Sequence, residues 1–435
     1  MPRLARGRAD IPMLSVATLI AVVVGVVVAS GATLAVRGAV ATIGIVGITV
    51  LFVAIRRLEL TLLVLFPLLT VVAIEPAFVD FLIVGLVVAL AIRRESGRFV
   101  PPRIVLAGLI LLVVSYAASL LAPPDVNAAI RFTVATLLVV ATGYVAFQLA
   151  ARDPAIATRA YVLAALLLFA QTIVAFVLSP FSDAVFLWYD PFRVEGLFKD
   201  PNVFGPFAVP AVALLCAGRP AMHPVARVGC IALALVPVAA SVARGAVLAL
   251  IMALVLLAAI ALYRRWSSIL FYSLGILGLG LVAFLVLIAL PGSSVAQHRF
   301  TSVLEHYDTE IRFAGQLAGL DYFLSHPLSP GVGPGNYNSV LGDPSHETYL
   351  RLLVETGPFS LIAILLLMWA AIRFVRSRDP TAVAWAVALA GFATYAFLID
   401  ELHWRHLWVL LAMPLAIAAH AAEARRTSGE ETQTS

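Results

Sequence analysis

The sequence predicts an all-α polytopic membrane protein with about 12–14 transmembrane helices and one large extracytoplasmic loop near the C-terminus. Of its 435 residues, 62% are hydrophobic and 12% are charged, whereas soluble domains average about 45–50% apolar and about 25% charged residues. Apolar runs of about 17 or more residues recur from end to end, and runs of that length suit the hydrocarbon core of a bilayer. This composition excludes an ordinary soluble enzyme.

The apolar runs define the predicted spans, and the arginines define their direction. In chain order the spans lie near residues 11–29, 32–54, 60–74, 77–92, 103–122, 127–150, 160–178, 202–217, 226–242, 245–263, 268–290, 357–374, 381–399 and 405–421. Arginine clusters precede the first span and follow every second one, beginning at Arg3, Arg56, Arg93, Arg152, Arg219, Arg264, Arg373 and Arg425. Because short cytoplasmic loops collect arginine and lysine, both termini are predicted to be cytoplasmic.

One long interruption divides the predicted array of spans. The resulting parts are N-terminal transmembrane helices (1–290, about 11 spans), an extracytoplasmic catalytic loop (291–356), C-terminal transmembrane helices (357–422) and a cytoplasmic tail (423–435). Loops of this length are usually functional or disordered, and this one carries aromatic and aliphatic residues at helical intervals. We therefore expect an ordered loop that carries the chemistry. The bias toward arginine, alanine and valine is typical of a GC-rich bacterial genome, so the predicted location is the bacterial cytoplasmic (inner) membrane.

Arginines on the predicted outer side form the candidate anion site, because the topology gives no reason for them there. They are Arg193, Arg244, Arg299, Arg312 and Arg405. A guanidinium group stays charged and binds phosphate through two parallel hydrogen bonds. The competing interpretation of Arg193 is a salt bridge with Glu195 or Asp190. The competing interpretation of Arg244 is a structural arginine whose side chain extends to the membrane surface.

A histidine follows a glycine-rich turn in the long loop. The turn spans residues 330–337, and Ser345-His346-Glu347 comes after it. Imidazole titrates near neutral pH, so His346 is the best candidate for proton transfer, while the competing interpretation is a structural histidine. No pair among the outer histidines has the i, i+4 spacing of a helical metal site, and the loop contains no Asp-x-Asp pair. We therefore predict neither a catalytic metal nor a cofactor.

Taken together, these motifs resemble those of the O-antigen ligases and the related Wzy-type polysaccharide polymerases. The family's elements are Arg-x-x-Gly with Pro-Asn, Ser-Arg-Gly, Pro-x-x-Gly-x-Gly and His-Asn-x9-Gly. In this chain the similar segments are, in order, 193–196 with 200–202, 244–245, 327–337 and 346–357. Glu347 stands in the asparagine position of the last motif. The resemblance covers roughly residues 100–420 of the sequence.

The resemblance implies a GT-C-like helical fold and transfer of a glycan from a polyprenyl diphosphate carrier to an acceptor hydroxyl. It assigns Arg193 and Arg244 to the diphosphate and His346 to the acceptor hydroxyl, with inversion at the anomeric carbon and no metal. Arg312 is implied as a further phosphate or sugar ligand. Glu347 is implied as a residue of the substrate site that orients the imidazole or raises its pKa. The implied partners are the lipid-linked donor, a glycan, lipid or protein acceptor, and membrane lipid, with no nucleic acid.

Other functions remain open from the sequence. A protein O-oligosaccharyltransferase resembles the ligases in the same motifs and differs mainly in its acceptor. A transporter or flippase is expected to pair ionisable residues near the bilayer midplane, or to consist of two related halves with broken helices. The sequence displays neither of these features. A structural or regulatory membrane subunit is the remaining alternative.

Overall fold

The computed structural model describes residues 57–72, 77–178, 188–190, 193–198, 200–289, 307–342 and 345–428. Within these residues, five helices are long and apolar enough to cross a membrane: Val126–Ala150, Pro154–Val177, Arg244–Arg264, Pro358–Arg376 and Arg405–Thr427. The protein is therefore a helical membrane protein, as its composition predicts. The predicted spans 11–29 and 32–54 lie outside the described residues.

The helices are numbered here in chain order. They are α1 (Leu62–Leu68), α2 (Phe78–Ile92), α3 (Arg103–Ser119), α4 (Val126–Ala150), α5 (Pro154–Leu178), α6 (Pro201–Phe207), α7 (Val209–Cys216), α8 (Pro224–Ala240), α9 (Arg244–Arg264), α10 (Ser267–Ala289), α11 (Tyr307–Ser325), α12 (Tyr337–Leu341), α13 (Thr348–Thr356), α14 (Pro358–Ile372), α15 (Pro380–Tyr395) and α16 (Arg405–Ser428). A short antiparallel hairpin of β1 (Trp188–Asp190) and β2 (Arg193–Val194) lies between α5 and α6.

Polar caps and prolines set where several helices begin. Asp125 accepts a hydrogen bond from the backbone N–H of Ala128 at 3.0 Å at the start of α4. Asp379 accepts one from the N–H of Thr381 at 2.8 Å at the start of α15. Proline is the first residue of α5, α14 and α15, a position where an N–H has no intrahelical partner. These caps bind amide donors that a helix end otherwise leaves unsatisfied.

Two predicted spans are more broken than their apolar runs suggest. The run at 202–217 forms α6 and α7, which meet at Ala208. Pro206 lies inside α6 and Pro210 lies in the first turn of α7, and a proline cannot donate to the helical ladder. The described part of the run at 60–74 contains α1, only seven residues long, with Pro67 inside it. Hydropathy alone does not register these prolines, because the runs stay apolar.

Small residues allow the long helices to approach each other closely. A Cβ atom on Gly391 of α15 would lie 2.5 Å from the carbonyl oxygen of Ala249 in α9. One on Gly143 of α4 would lie 3.0 Å from the carbonyl oxygen of Trp408 in α16. Helices in a membrane associate through such close contacts, because lipid supplies no hydrophobic force between them. The α9–α15 and α4–α16 pairs make the most extensive helix contacts among the described residues.

The described part of the predicted catalytic loop is folded rather than extended. It contains α11, α12 and α13, and α13 packs against both α11 and α14. A small separate core of Val332, Tyr337 and Val354 holds the glycine-rich turn to α13. The loop therefore forms a helical layer at one end of the membrane-spanning bundle, directly before α14 begins.

Candidate functional site

Arg193 lies on β2 and is buried, with an exposed fraction of only 4%. Its Nε donates to the carbonyl oxygen of Ser241 at 3.2 Å, and its Nη2 donates to the side-chain oxygen of Asn202 at 3.0 Å. A buried guanidinium requires such partners, because desolvation of a charge is costly. These two bonds orient the guanidinium group within the protein.

Arg244 begins α9 and its side chain is exposed. It follows a tight turn in which Val242 has a φ of +46° and the N–H of Ala243 donates to Ser241 Oγ at 3.3 Å. A β-branched residue with positive φ is strained, by about 1–3 kcal/mol. Ser241 thus connects the two arginines, because its carbonyl binds Arg193 and its side chain shapes the turn before Arg244.

The start of α6 supplies the second partner of Arg193. Asp200 caps this helix by accepting a hydrogen bond from the N–H of Asn202 at 2.7 Å. Pro201 occupies the first helical position, as expected for the Pro-Asn element of the sequence. This short capped turn directs the Asn202 side chain toward Arg193, and the Tyr395 hydroxyl donates to the Asn202 carbonyl at 3.3 Å.

His346 lies directly before α13 and is half-buried. Its backbone has a φ of +50°, which few residues other than glycine adopt. Such strain costs about 1–3 kcal/mol and is typical of functional sites, where the surrounding structure enforces it. The fixed neighbours on its C-terminal side, Glu347 and Thr348, supply that constraint.

Glu347 caps α13 with its side chain. Its two carboxylate oxygens accept hydrogen bonds from the N–H groups of Tyr349 at 3.1 Å and Leu350 at 2.6 Å. Burial raises the pKa of Glu347, although both N–H groups act in the opposite direction. The carboxylate therefore fixes the start of the helix that follows His346. Its predicted role in orienting the imidazole stays a prediction.

Thr348 ties this segment to the end of α15. Its N–H donates to the carbonyl oxygen of Ala396 at 3.0 Å, and its hydroxyl donates to the carbonyl oxygen of Ile399 at 2.9 Å. The same hydroxyl accepts a hydrogen bond from the N–H of Glu401 at 3.0 Å. Three bonds through one threonine therefore hold the backbone beside His346 against the α15–α16 connection.

Glu355 organises the glycine-rich turn from inside α13. Its carboxylate accepts hydrogen bonds from the N–H groups of Gly335 at 2.8 Å and Tyr337 at 3.3 Å. The side-chain amide of Asn336 binds both backbone groups of Asp125, at 2.8 and 3.1 Å. The turn is therefore fastened on one side to α13 and on the other to the start of α4.

A buried charge network extends from the turn to the α15–α16 connection. Arg351 Nε donates to Glu355 at 3.0 Å, and its Nη1 forms an ion pair with Asp400. The guanidinium also lies over the Phe132 ring, 4.8 Å from its centroid. Burial raises the pKa of Glu355 despite the ion pair. Burial also opposes ionisation of Asp400, but Arg351 and the surrounding hydrogen bonds outweigh it and lower that pKa.

His403 completes this network within the α15–α16 connection. Its Nε2 lies 3.0 Å from Thr136 Oγ1, and its ring contacts Phe132 edge to face at 5.3 Å between centroids. Burial lowers the pKa of His403 to about 4, although the Asp400 carboxylate opposes the shift. His403 is therefore neutral at physiological pH.

The end of α15 contacts neighbours of both arginines and of the histidine. Tyr395, the last residue of that helix, contacts Asn202 through its hydroxyl, and its ring lies where a Cβ on Gly245 would be, 1.6 Å from Cε2. The next residue, Ala396, accepts the hydrogen bond from Thr348. Two consecutive residues of one helix end therefore join the arginine segments to the histidine segment, although about 100 residues or more separate these segments in sequence.

Of the remaining outer-side arginines, Arg405 has a carboxylate partner. Arg405 forms a bidentate pair with Asp80, with nitrogen to oxygen distances of 2.8 and 2.7 Å. That carboxylate makes it a structural link between α16 and α2. Arg312 lies in α11, but its side chain lies outside the described residues, so its implied role stays a prediction.

The polar network behind His346 is absent from the sequence prediction. Arg351, Glu355, Asp400 and His403 read in the sequence as scattered charges, because their pairing depends on how α13 meets the α15–α16 connection. Among the residues that the structure describes, no group of three or more His, Cys, Asp or Glu side chains could hold a metal ion.

Comparison of the sequence with models of protein families and with curated proteins finds no match.

Proposed function

We propose that the protein is a membrane glycosyltransferase that moves a glycan from a polyprenyl diphosphate carrier to an acceptor hydroxyl. The proposed location is the outer side of the bacterial cytoplasmic membrane. The observation that carries the proposal is the convergence of Arg193, Arg244 and the segment of His346 on the end of α15. Cations for a diphosphate and a base for a hydroxyl are what this reaction needs.

Arg193 and Arg244 would stabilise the leaving group. Attack on the anomeric carbon breaks the bond between that carbon and the phosphate oxygen, and the departing diphosphate gains negative charge. A guanidinium held in a water-poor site is suited to that charge, because preorganised donors need no reorganisation as the bond breaks. The buried, oriented fork of Arg193 fits this requirement, and the exposed Arg244 at the start of α9 adds charge where the helix dipole is also positive.

His346 would accept the proton of the attacking hydroxyl. The acceptor oxygen forms the new glycosidic bond from the face opposite the diphosphate, so the anomeric centre inverts. A base with a pKa near neutrality serves this step best. The backbone of His346 is held by the cap of Glu347 and the bonds of Thr348, so the imidazole is attached to a fixed point.

Turnover by the purified protein tests this function. The assay uses a polyprenyl-diphosphate-linked glycan as donor and cell-envelope glycans of the source organism as acceptor, and it measures released polyprenyl diphosphate. We expect Arg193→Ala and Arg244→Ala to lose about 10²–10³-fold in turnover, as for loss of an oriented transition-state donor. His346→Ala should lose about 10²–10⁴-fold while still binding donor.

The control is Arg378→Ala, which removes an exposed arginine at the opposite end of the bundle by the predicted topology. It should retain wild-type turnover, and EDTA should not inhibit any of the proteins. Wild-type protein without donor turnover, or alanine variants with full activity, would contradict the proposal.

A further inference from the structure

A polar cavity of about 530 Å³ lies at the far end of α16 from the candidate site. That helix begins beside His403, and its last turns line the cavity together with the α4–α5 junction, the α2–α3 connection and the residues before α1. The arginine clusters predict that this end of the bundle faces the cytoplasm. None of the residues that line the cavity takes part in the proposed reaction.

Two arginines of the cavity share one carboxylate. Glu95 lies 3.8 Å from Arg98 and 3.3 Å from Arg93, and it also forms an ion pair with Arg152. Arg98 and Arg152 line the cavity and are called the arginine wall here. The Arg152 side chain is only 11% exposed, and its Nε has no hydrogen-bond partner among the residues that the structure describes. One carboxylate does not neutralise two guanidinium groups, so positive charge remains on this wall.

The carboxylates that line the cavity are largely engaged elsewhere. Glu59 pairs with Arg57 at 2.9 Å. Asp153 caps α5 by accepting hydrogen bonds from two backbone N–H groups of its first turn, both at 3.0 Å. Glu423 on α16 is the third lining acid, and arginines follow it at positions 425 and 426. The arginine wall is therefore the part of the cavity that is suited to a phosphate group.

Polar contacts with α4 hold the α2–α3 connection in place. The Gln148 side-chain amide donates to the Phe99 carbonyl at 2.8 Å and accepts the Phe99 N–H at 3.3 Å. The hydroxyl groups of Ser96 and Tyr144 lie 2.6 Å apart. Arg98 comes between these two fixed points, and its side chain is 52% exposed. Its backbone is therefore anchored while its guanidinium group is accessible to a ligand.

A smaller apolar groove of about 80 Å³ lies next to the cavity, nearer the middle of the bundle. On α4, Phe147 of the groove comes one helical turn before Ala151 of the cavity. Before α3, Pro101 of the groove comes two residues after Phe99 of the cavity. Residues of α16 line both spaces in the same order. Charge at the helix ends with an apolar groove beneath it matches the headgroup and the first part of the chain of a phospholipid.

We propose that this site binds an anionic phospholipid of the cytoplasmic leaflet. Its phosphate lies against the arginine wall, and the beginning of one acyl chain lies in the apolar groove. The cytoplasmic leaflet is rich in anionic lipids, and basic pockets between membrane helices bind their headgroups. A soluble phosphate compound would use the charge but not the groove, so a lipid is the occupant that fits both. The inference is independent of the proposed glycosyl transfer.

Binding to the delipidated full-length protein in detergent tests the site. The probes are dioleoyl phosphatidylglycerol, dioleoyl phosphatidylcholine and glycerophosphoglycerol, which is the first headgroup without its chains, and native mass spectrometry measures how much of each is bound. We expect phosphatidylglycerol to bind about fivefold or more tightly than phosphatidylcholine, and glycerophosphoglycerol not to compete with it. Equal binding of the two lipids would overturn the proposal. Competition by the chain-free headgroup would show a site for soluble phosphate compounds instead.

Variants locate the site. Arg98→Gln should weaken phosphatidylglycerol binding about fivefold or more and leave phosphatidylcholine binding unchanged. The matched control is Arg378→Gln, which removes an exposed arginine at the same predicted end but outside the cavity, and it should bind as wild type does. Thermal unfolding without lipid verifies that both variants fold. Equal losses in the two variants would show attraction to the whole basic end of the bundle, and the inference would be wrong.

The apolar half of the site has its own variant. Leu109→Trp fills the groove and should weaken phosphatidylglycerol binding, whereas Leu106→Trp, on an exposed part of the same helix, should not. If Leu109→Trp folds and binds phosphatidylglycerol as tightly as wild type, no acyl chain lies in the groove and the proposal fails. If Leu109→Trp does not fold, the chain-free headgroup decides the same point in the wild-type protein.

Discussion

At the scale of single residues, the segment around His346 combines strain with support. The positive φ of His346 is unfavourable by itself, and the next two residues compensate through the Glu347 cap and the bonds of Thr348. Natural proteins keep such strained positions where the conformation is useful and the surroundings enforce it. The histidine position is therefore set by its neighbours on the C-terminal side.

Glu347 offers a test of this support. Glu347→Gln keeps one acceptor oxygen for the cap but loses the second, so we expect a loss of about 1 kcal/mol in stability at the start of α13. Turnover should fall less than in His346→Ala, because the imidazole remains. Glu347→Ala, which removes both acceptors, should lose more stability than Glu347→Gln. Equal turnover losses in Glu347→Gln and His346→Ala would instead give the carboxylate a direct chemical role.

His403 predicts a pH dependence of stability. Its pKa is lowered from 6.5 to about 4 by burial, so the unfolded chain takes up the proton first as the pH falls. The stability that this group contributes is fully present above its unfolded pKa, and about 3 kcal/mol of it is lost as the pH falls from about 6.5 to about 4. Among the charged groups that act on the pKa of His403, Asp400 opposes the shift, whereas Arg351 and Arg405 add to it.

The measurement is thermal unfolding in detergent as a function of pH. Wild-type protein should lose stability between these pH values more steeply than His403→Gln, which keeps a polar partner for Thr136 but does not titrate there. Glu347 and Glu355 have raised pKa values and act in the opposite direction, so the difference between the two proteins isolates the imidazole. Parallel pH profiles would show that His403 is not neutral in the folded protein.

At the scale of elements, the glycine-rich turn is shaped by contact as well as by conformation. Gly331 has a φ of +95°, and a Cβ there would lie 2.3 Å from the Glu355 carbonyl oxygen. Gly342 has a similar φ of +86°, but a Cβ there would meet no atom within 4 Å. Both glycines therefore need a positive φ, but only Gly331 also packs closely against α13.

Alanine at each position tests this distinction. Gly331→Ala and Gly342→Ala should each lower the free energy of unfolding by about 1–2 kcal/mol, because alanine disfavours a positive φ. Gly331→Ala should be less stable than Gly342→Ala by about 1–3 kcal/mol, because the backbone of α13 at Glu355 must move to admit the methyl group. Unfolding in denaturant compares them. Equal losses would mean that the turn does not pack against α13 as closely as described.

At the scale of the whole molecule, the sequence predicts the long helices well and the polar contacts poorly. Apolar period and length determine helices such as α4, α9 and α16, which coincide with their predicted spans to within several residues. The break at Ala208 and the hairpin that contains Arg193 depend on proline positions and long-range packing, to which hydropathy is insensitive.

For the candidate site, too, the sequence predicts the individual residues but not the contacts that bring their segments together. Arg193, Arg244 and His346 are found from residue type and predicted side, because charge in an apolar chain is conspicuous. The contacts of their segments with Tyr395 and Ala396 are not predictable in this way, since a tyrosine and an alanine at the end of an apolar helix are ordinary in sequence. Its role comes from the close approach of α9, which the small Gly245 permits.

The orientation of the whole molecule is the last prediction, and it rests on the arginine clusters. The segment that contains Leu328 is predicted to lie outside the cytoplasmic membrane, and the end of α9, at Tyr263, inside. These residues are matched probes, because Leu328 is 83% and Tyr263 is 87% exposed. Each is replaced by cysteine in a chain with Cys216→Ala and Cys230→Ala. An impermeant maleimide should label Leu328→Cys in intact, wall-permeabilised cells and Tyr263→Cys only after lysis. The reverse pattern would place the candidate site on the cytoplasmic side, where an outward-facing donor could not reach it.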